Sequence, residues 1–162
     1  MCWTQAKALL ALMGFCLSTC CAHAFCFREA SQMYRIDEGL LRSIAWVESR
    51  QSADVVNTNS NGTRDVGVMQ INSTHLKELS KYSITEKDLH DPCVNVKVGA
   101  WILANSIRTH GNTWRAVGAY NASAAGGELN RKIYAAKVKS AMNARLGSVQ
   151  TQDLNTTLVV FE

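Results

Sequence analysis

The six cysteines constrain this chain most, because their positions are very uneven. Four of them fall close together at positions 2, 16, 20 and 21. The other two, Cys26 and Cys93, are far apart and are the only cysteines in the rest of the chain. A dense disulfide scaffold, which needs cysteines spread through a small domain, is therefore not expected if the first segment is removed.

Residues 1–24 are typical of a cleavable export signal. Lys7 is followed by an apolar run at residues 8–17, and the segment ends in Ala22-His23-Ala24, a small-x-small cleavage pattern. The run is too short to span a bilayer as a stable helix. Two alternatives stay open: a lipoprotein signal at Cys20, for which the preceding threonine is a poor fit, and an uncleaved helical anchor.

Export would place Cys26 and Cys93 in an oxidising compartment. A disulfide between them is the simpler interpretation, and two free thiols are the alternative. A metal site is not expected, because two separated cysteines lack a C-x-x-C spacing and the four histidines do not cluster.

Composition excludes several classes of protein. The chain has 162 residues, of which 47% are hydrophobic and 19% charged, which is typical of one globular domain and not of a disordered or collagen-like chain. The formal net charge of +4 is mild and is compatible with an anionic partner such as a cell wall. No basic run is long enough to predict nucleic-acid binding, and no segment after the signal predicts a membrane span.

Helical periodicity dominates the rest of the sequence. Asp37 and Asp91-Pro92 are typical helix starts, and Gly111 is a typical helix end. The pattern predicts helices over residues 26–34, 40–50, 73–82, 91–110, 113–120 and 129–146. The predicted buried residues of the two longest helices are Val94, Val98, Trp101 and Ile102, then Leu129, Ile133, Val138 and Met142. Residues 147–162 are expected to form a C-terminal tail.

The periodicity is lost over residues 51–71, which are rich in turn-forming residues. Asn61-Gly62 is a strong hairpin signal, and residues 54–56 and 65–68 on either side are candidate short strands. The expected fold class is therefore α+β, predominantly α-helical, with a small β-hairpin region.

Glu48 stands where the helical pattern predicts an apolar residue. The apolar stripe of its helix consists of Leu41, Ile44 and Ala45. Burial disfavours the charged form of a carboxyl group, so the pKa of Glu48 is expected to rise, as general-acid catalysis near neutral pH requires. The alternative is a glutamate that leans out to solvent or pairs with Arg50 or Arg64.

Asp65, just past the turn-rich stretch, is a second candidate carboxylate. A helical glutamate and a strand aspartate across a cleft are typical of a glycoside-cleaving pair. The alternative is an aspartate that stabilises its own turn.

Three motifs together resemble the signatures of lytic transglycosylases. They are Glu-Ser at residues 48–49, Gly-Val-Met-Gln at residues 67–70 and Ala-Tyr-Asn at residues 119–121. Their order and spacing, with Asp65 and residues 91–95 and 99–103, resemble the small exported enzymes that accompany conjugation, type IV pilus and type III secretion systems. The resemblance covers residues 26–127 and implies a lysozyme-like domain at residues 25–146.

The resemblance implies a role for each motif residue. Glu48 would be the acid and base that cleaves the β-1,4 bond between N-acetylmuramic acid and N-acetylglucosamine, leaving a 1,6-anhydro end without a metal or organic cofactor. Ser49 and Gln70 would hold polar groups of the substrate, and Met69 would line the cleft. Tyr120 would hydrogen-bond to Glu48, and Asn121 would help to shape the site.

Asp65 is compatible with two types of reaction. It would stabilise an oxocarbenium-like transition state, or position a water for a hydrolytic muramidase. Two departures from the family pattern are Val68 in place of leucine and Ser123 in place of glycine.

The resemblance also implies a periplasmic enzyme that opens peptidoglycan locally for a secretion, pilus or conjugation apparatus. Its expected partners are glycan strands and components of that apparatus. The alternative of another class is a non-catalytic peptidoglycan-binding assembly factor.

Overall fold

A computed structural model describes residues 26–121 and 127–158, with side chains described as far as residue 147. The predicted signal peptide at residues 1–24 and the loop residue Ser123 lie outside the described residues. The helices are α1 Phe27–Tyr34, α2 Glu38–Ser49, α3 Leu76–Leu79, α4 Pro92–His110, α5 Trp114–Asn121 and α6 Gly127–Leu158. Short 3-10 turns occupy Ser73–His75, Ser80–Tyr82 and Lys87–His90.

A small antiparallel sheet lies between α2 and α3. Its strands are β1 Val56–Thr58, β2 Arg64–Val66 and β3 Ile71–Asn72, in the order β1-β2-β3. Gly62 adopts a φ of 82° in the connection between β1 and β2, which confirms the predicted Asn-Gly turn. The strand β3 was not predicted, because two residues give no periodicity. Both neighbours of Asp65 across the sheet are asparagines, Asn57 and Asn72.

Both predicted helix starts are confirmed. The Asp37 carboxylate accepts a hydrogen bond from the Leu40 amide at 2.8 Å, and that of Asp91 accepts one from the Val94 amide at 2.9 Å. Each aspartate therefore satisfies an amide that the first helical turn leaves without a partner.

The Cys26–Cys93 disulfide is present, with 4.9 Å between the Cα atoms. It joins the residue before α1 to the first turn of α4, and these two helices pack together. Because it closes a loop with a sequence separation of 67, it contributes about 4 kcal/mol on the loop-entropy model. Glu29 lies near both sulfur atoms, but the disulfide occupies them, so this group is not a thiolate metal site.

The core is formed by α1, α2, α4 and the sheet, with α5 and α6 closing it. Its largest fully buried side chains are Phe27, Leu41, Ile44, Met69, Ile71, Leu89 and Leu103. The predicted stripe of α4 is partly wrong, because Trp101 and Ile102 are half-buried and line a cleft. The core instead receives the face of α4 that carries Val96, Ala100 and Leu103, and Val98 is buried as predicted.

The predicted bounds and buried face of the last helix need correction. α6 begins at Gly127 and continues past residue 146 to Leu158. Leu129 and Ile133 are 70% and 47% exposed, because α6 packs on α2 and α5 with the face that carries Tyr134, Ala135 and Val138. Among the described residues, no helix has both the length and the apolar character needed to cross a membrane.

Candidate active site

Glu48 lies in the last turn of α2 and faces a cleft of about 990 Å³. Asp65, Gln70, Tyr120 and Asn121 line the same cleft. Five residues predicted from separate stretches of sequence are therefore brought together.

Burial of the Glu48 carboxyl group raises its pKa from 4.5 to about 7. The negative charge of Asp65 also raises this pKa, whereas side-chain hydrogen bonds from Tyr134 and Asn121 lower it. Because loss of hydration outweighs the hydrogen bonds, a large share of Glu48 is protonated at neutral pH. The expectation of a raised pKa is confirmed, and a carboxyl group in this state can both give and take a proton.

The Asp65 carboxylate is held by two asparagine side chains. Asn59 Nδ2 donates to Oδ2 at 2.8 Å, and Asn72 Nδ2 donates to Oδ1 at 2.7 Å. Thr63 Oγ1 in turn accepts a hydrogen bond from each asparagine at 3.1 Å. Each oxygen of Asp65 is thus fixed in direction by a side-chain amide, from Asn72 in β3 and from Asn59 in the connection between β1 and β2.

Asn95 holds residues 67–70, the segment after β2, against α4. Its buried amide donates to the carbonyls of Val66 and Leu89, both at 2.8 Å, and its oxygen accepts from the Met69 amide at 2.7 Å. Gly67 has a φ of 75°, and a Cβ there would collide with the Asn95 amide. The glycine of the motif is therefore required for this close contact.

Gln70 lines the cleft, and its side chain also braces the sheet. Its Nε2 donates to the carbonyls of Gly67 and Val55, at 2.8 and 3.1 Å, and its Oε1 accepts from Asn57 at 2.6 Å. The backbone of Gln70 has a φ of 49°, a left-handed conformation that these hydrogen bonds maintain. Both amide hydrogens are used within the protein, so a substrate group would meet the oxygen of Gln70.

Two predicted site residues do not line the cleft. Met69 is 0% exposed, and its side chain packs so closely on α4 that a Cβ at Gly99 would lie 2.8 Å from it. The expectation that Met69 lines the cleft is therefore wrong. Ser49 is buried, and its hydroxyl donates to the Val68 carbonyl at 2.7 Å, so it ties α2 to residues 67–70 instead of facing the cleft.

The tyrosine that contacts Glu48 is Tyr134, not Tyr120. The Tyr134 hydroxyl donates to Glu48 Oε1 at 2.5 Å, whereas the Tyr120 hydroxyl donates to the Met69 carbonyl at 2.9 Å. The two rings stack, with centroids 6.5 Å apart. Burial and the nearby Glu48 charge raise the pKa of both hydroxyls, which keeps them protonated as donors. Tyr134 was not predicted as a site residue, because its spacing of four from Val138 is matched by that of Leu129 and Ile133, which are exposed.

The cleft is also lined by an aromatic pair that was not predicted as part of the site. Trp101 and His75 line it and meet edge to face, with centroids 6.4 Å apart. Burial lowers the pKa of His75, so the neutral imidazole is favoured. A cleft lined by polar side chains and by an aromatic pair is suited to a carbohydrate.

A family model described as "Transglycosylase SLT domain" matches residues 25–143. The chain belongs to this family. The resemblance noted from the three motifs is confirmed, and SLT membership together with the fold identifies a peptidoglycan lytic transglycosylase.

Curated relatives of this SLT domain share much of its length. Invasion protein IagB of Salmonella typhimurium is 44% identical over 124 residues, which cover 75% of this chain and 78% of IagB. Protein IpgF of Shigella flexneri is 41% identical over 100 residues, which cover 61% of this chain and 66% of IpgF.

The fold has a solved counterpart. An inactive mutant of the lytic transglycosylase Slt from Pseudomonas aeruginosa superposes with a TM-score of 0.61 at 21% identity. The match covers 83% of this chain and 24% of that longer chain. This similarity supports the lysozyme-like fold predicted from the sequence.

Proposed function

We propose that this transglycosylase cleaves the β-1,4 bond between N-acetylmuramic acid and N-acetylglucosamine and leaves a 1,6-anhydromuramoyl end. The observation that carries the proposal is the position of Glu48, which faces the cleft with a pKa of about 7. A carboxyl group that is partly protonated at neutral pH suits a reaction that needs an acid and then a base.

Glu48 performs both proton transfers. Its proton passes to the glycosidic oxygen as the bond to the muramoyl C1 breaks, and the N-acetylglucosamine hydroxyl leaves. The carboxylate then takes the proton of the muramoyl C6 hydroxyl, whose oxygen bonds to C1. Glu48 ends protonated as it began, and the reaction consumes no water and no other reactant. Tyr134 fixes one carboxyl oxygen during both steps.

Asp65 stabilises the positive charge that develops at C1. Its two oxygens already accept asparagine hydrogen bonds, which supports a carboxylate held in one orientation and not a group that moves to activate water. The competing function is hydrolysis by a muramidase of the same fold, in which Asp65 would position that water. The competing function of another class is a non-catalytic peptidoglycan-binding assembly factor.

The enzyme acts in the periplasm after its export signal is removed. It opens the wall locally for a secretion, pilus or conjugation apparatus, whose components are its partners. Support comes from the signal-like residues 1–24 and from the name of the Salmonella relative, an invasion protein.

Mass spectrometry of the muropeptides released from purified sacculi tests the proposal. Anhydromuramoyl ends, which are lighter than reducing ends by one water, are expected. Reducing muramic acid ends would establish the hydrolytic alternative, and intact sacculi would contradict both enzymatic functions.

A further inference from the structure

A bidentate ion pair joins the sheet to the segment before α4. Arg64, the first residue of β2, donates from Nε to Glu86 Oε1 at 2.9 Å and from Nη2 to Glu86 Oε2 at 2.6 Å. Two parallel hydrogen bonds fix the direction of the contact as well as its length. They also lower the pKa of Glu86, so its carboxylate stays charged near neutral pH. Arg64, which the sequence offered as a partner for Glu48, therefore pairs with a different carboxylate.

Glu86 provides a fixed attachment point for this ion pair. It precedes the 3-10 turn Lys87–His90, and its carbonyl accepts a hydrogen bond from the Leu89 amide at 3.1 Å. The Leu89 side chain is fully buried, and Asn95 of α4 donates to the Leu89 carbonyl at 2.8 Å. The Arg64 side chain thus connects β2 to a segment that is itself held on the helical part of the fold.

Asp65 lies between two such anchors. The carbonyl that follows it in β2, that of Val66, accepts from Asn95 at 2.8 Å, and the Arg64 ion pair lies on its other side. The amides that bind the Asp65 carboxylate belong to the sheet and its first connection, so they orient this group within the sheet only. The position of Asp65 relative to Glu48 on α2 therefore depends on how β2 is held against the helices.

We infer that Arg64 and Glu86 are positioning residues, whose ion pair holds Asp65 in its working place in the cleft. The inference rests on the proposed function of Asp65. Because the two side chains carry opposite charges at hydrogen-bond distance, their combined field at the reaction centre is small, and they act through the position of β2. The pair is exposed, with 50% and 29% of its side-chain surfaces accessible, so its loss should affect catalysis more than the stability of the whole fold.

The test replaces both members of the pair. Arg64→Met/Glu86→Gln removes both hydrogen bonds without changing the net charge, so its direct electrostatic effect on Glu48 is small. The value of kcat is expected to fall about threefold with little change in KM, because Asp65 acts on a charge that develops only in the transition state. An unchanged kcat would overturn the inference.

The dependence of this loss on Asp65 separates positioning from a general structural effect. In an Asp65→Asn background the double variant should lose no further activity, since the group that the pair positions has already lost its charge. Arg64→Glu/Glu86→Arg, which restores the pair in reverse, should recover most of the activity. A threefold loss that persists in the Asp65→Asn background would overturn the inference. The matched control is Arg42→Met/Glu38→Gln, which removes a 2.7 Å ion pair within the first half of α2 and should keep wild-type kcat.

Titration of the Glu48 carboxyl group by 13C NMR gives a second readout that needs no turnover. The negative charge of Asp65 raises the pKa of Glu48, so displacement of Asp65 in the double variant should lower the midpoint, in the same direction as Asp65→Asn. A midpoint equal to that of the wild type would contradict the inference. Failure of the proposed function would appear instead as wild-type protein that forms no anhydro ends from sacculi, and it would not alter this titration.

Discussion

Glu48 and Asp65 face the same cleft, but the two carboxyl groups differ in burial and in hydrogen bonding. Glu48 projects from a helix into a partly buried position, where loss of hydration raises its pKa to about 7. Asp65 projects from a strand, and each of its oxygens accepts a hydrogen bond from an asparagine amide. Burial prepares the first group to move a proton, and amide donors prepare the second to stay a fixed acceptor. Two carboxyl groups of one site thus acquire separate tasks from their environments.

The largest expected effect comes from Glu48→Gln, which keeps the size of the side chain and the acceptor for Tyr134. Release of muropeptides from sacculi should fall on the order of a thousandfold, because general-acid help is lost. Glu29→Gln, on α1 away from the cleft, is the matched control and should keep wild-type activity. Wall cleavage and apparatus assembly that both survive Glu48→Gln would rule out catalysis by Glu48.

The same substitution should stabilise the protein above pH 7. A pKa raised from 4.5 to about 7 means that the folded state binds more protons than the unfolded state within this window, so stability falls as pH rises through it. The neutral glutamine side chain has no charged form to bury, so its variant should not lose stability over this pH range. Its free energy of unfolding should exceed that of the wild type by at most about 3 kcal/mol at pH 8, and the difference should vanish near pH 4. Urea unfolding at both pH values measures it. A gain that is equal at the two pH values would contradict a raised pKa.

The strand side of the cleft depends on a buried amide, so Asn95→Ala should destabilise the fold. The carbonyls of Val66 and Leu89 and the amide of Met69 would lose their partner, at a cost of about 3 kcal/mol. Asn143→Ala, at an exposed position of α6, is the control. Urea midpoints that agree between the two variants would show that Asn95 does not hold this segment.

Tyr134→Phe tests what the hydrogen bond from Tyr134 contributes to the catalytic role of Glu48. Activity should fall about tenfold because the carboxyl group loses its orienting donor. The hydrogen bond lowers the pKa of Glu48, so its removal should move the loss of activity at high pH to a higher pH. Tyr120→Phe removes a hydroxyl bonded to the Met69 carbonyl and not to Glu48, and serves as the control for the pH shift. Equal shifts in the two variants would contradict a specific role for Tyr134.

Asp65→Asn should give the smallest effect, a loss of about tenfold or less in kcat. Its negative charge raises the pKa of Glu48, so its removal should shift the pH profile in the opposite direction, to lower pH. A loss as large as that of Glu48→Gln would instead favour the hydrolytic mechanism. The pH dependence of kcat for both variants separates these outcomes.

Much of the helical framework could be predicted because its signals are local. The aspartate caps at Asp37 and Asp91 act within one turn, and the Asn-Gly turn and the apolar stripe that exposes Glu48 lie within short windows. The disulfide was the simpler of two interpretations of the two cysteines outside the predicted export signal, and it is confirmed.

The remaining features depend on contacts between distant segments. Leu129-Ile133 and Tyr134-Val138 both have a spacing of four, and only packing against α2 and α5 selects the second pair. The motif at residues 67–70 marks a required segment. It does not reveal that Met69 acts through its backbone, whose amide donates to Asn95 and whose carbonyl accepts from Tyr120. The hydrogen bond between Tyr134 and Glu48 spans 86 positions, which no local pattern reveals.

Direct titration of the Glu48 carboxyl group tests the central claim, that this group is partly protonated at neutral pH. The carboxyl carbon can be followed by 13C NMR and assigned by its absence from Glu48→Gln. The structure predicts a midpoint near pH 7. A midpoint near 4.5, the ordinary value for glutamate, would contradict the assignment of Glu48 as the proton donor.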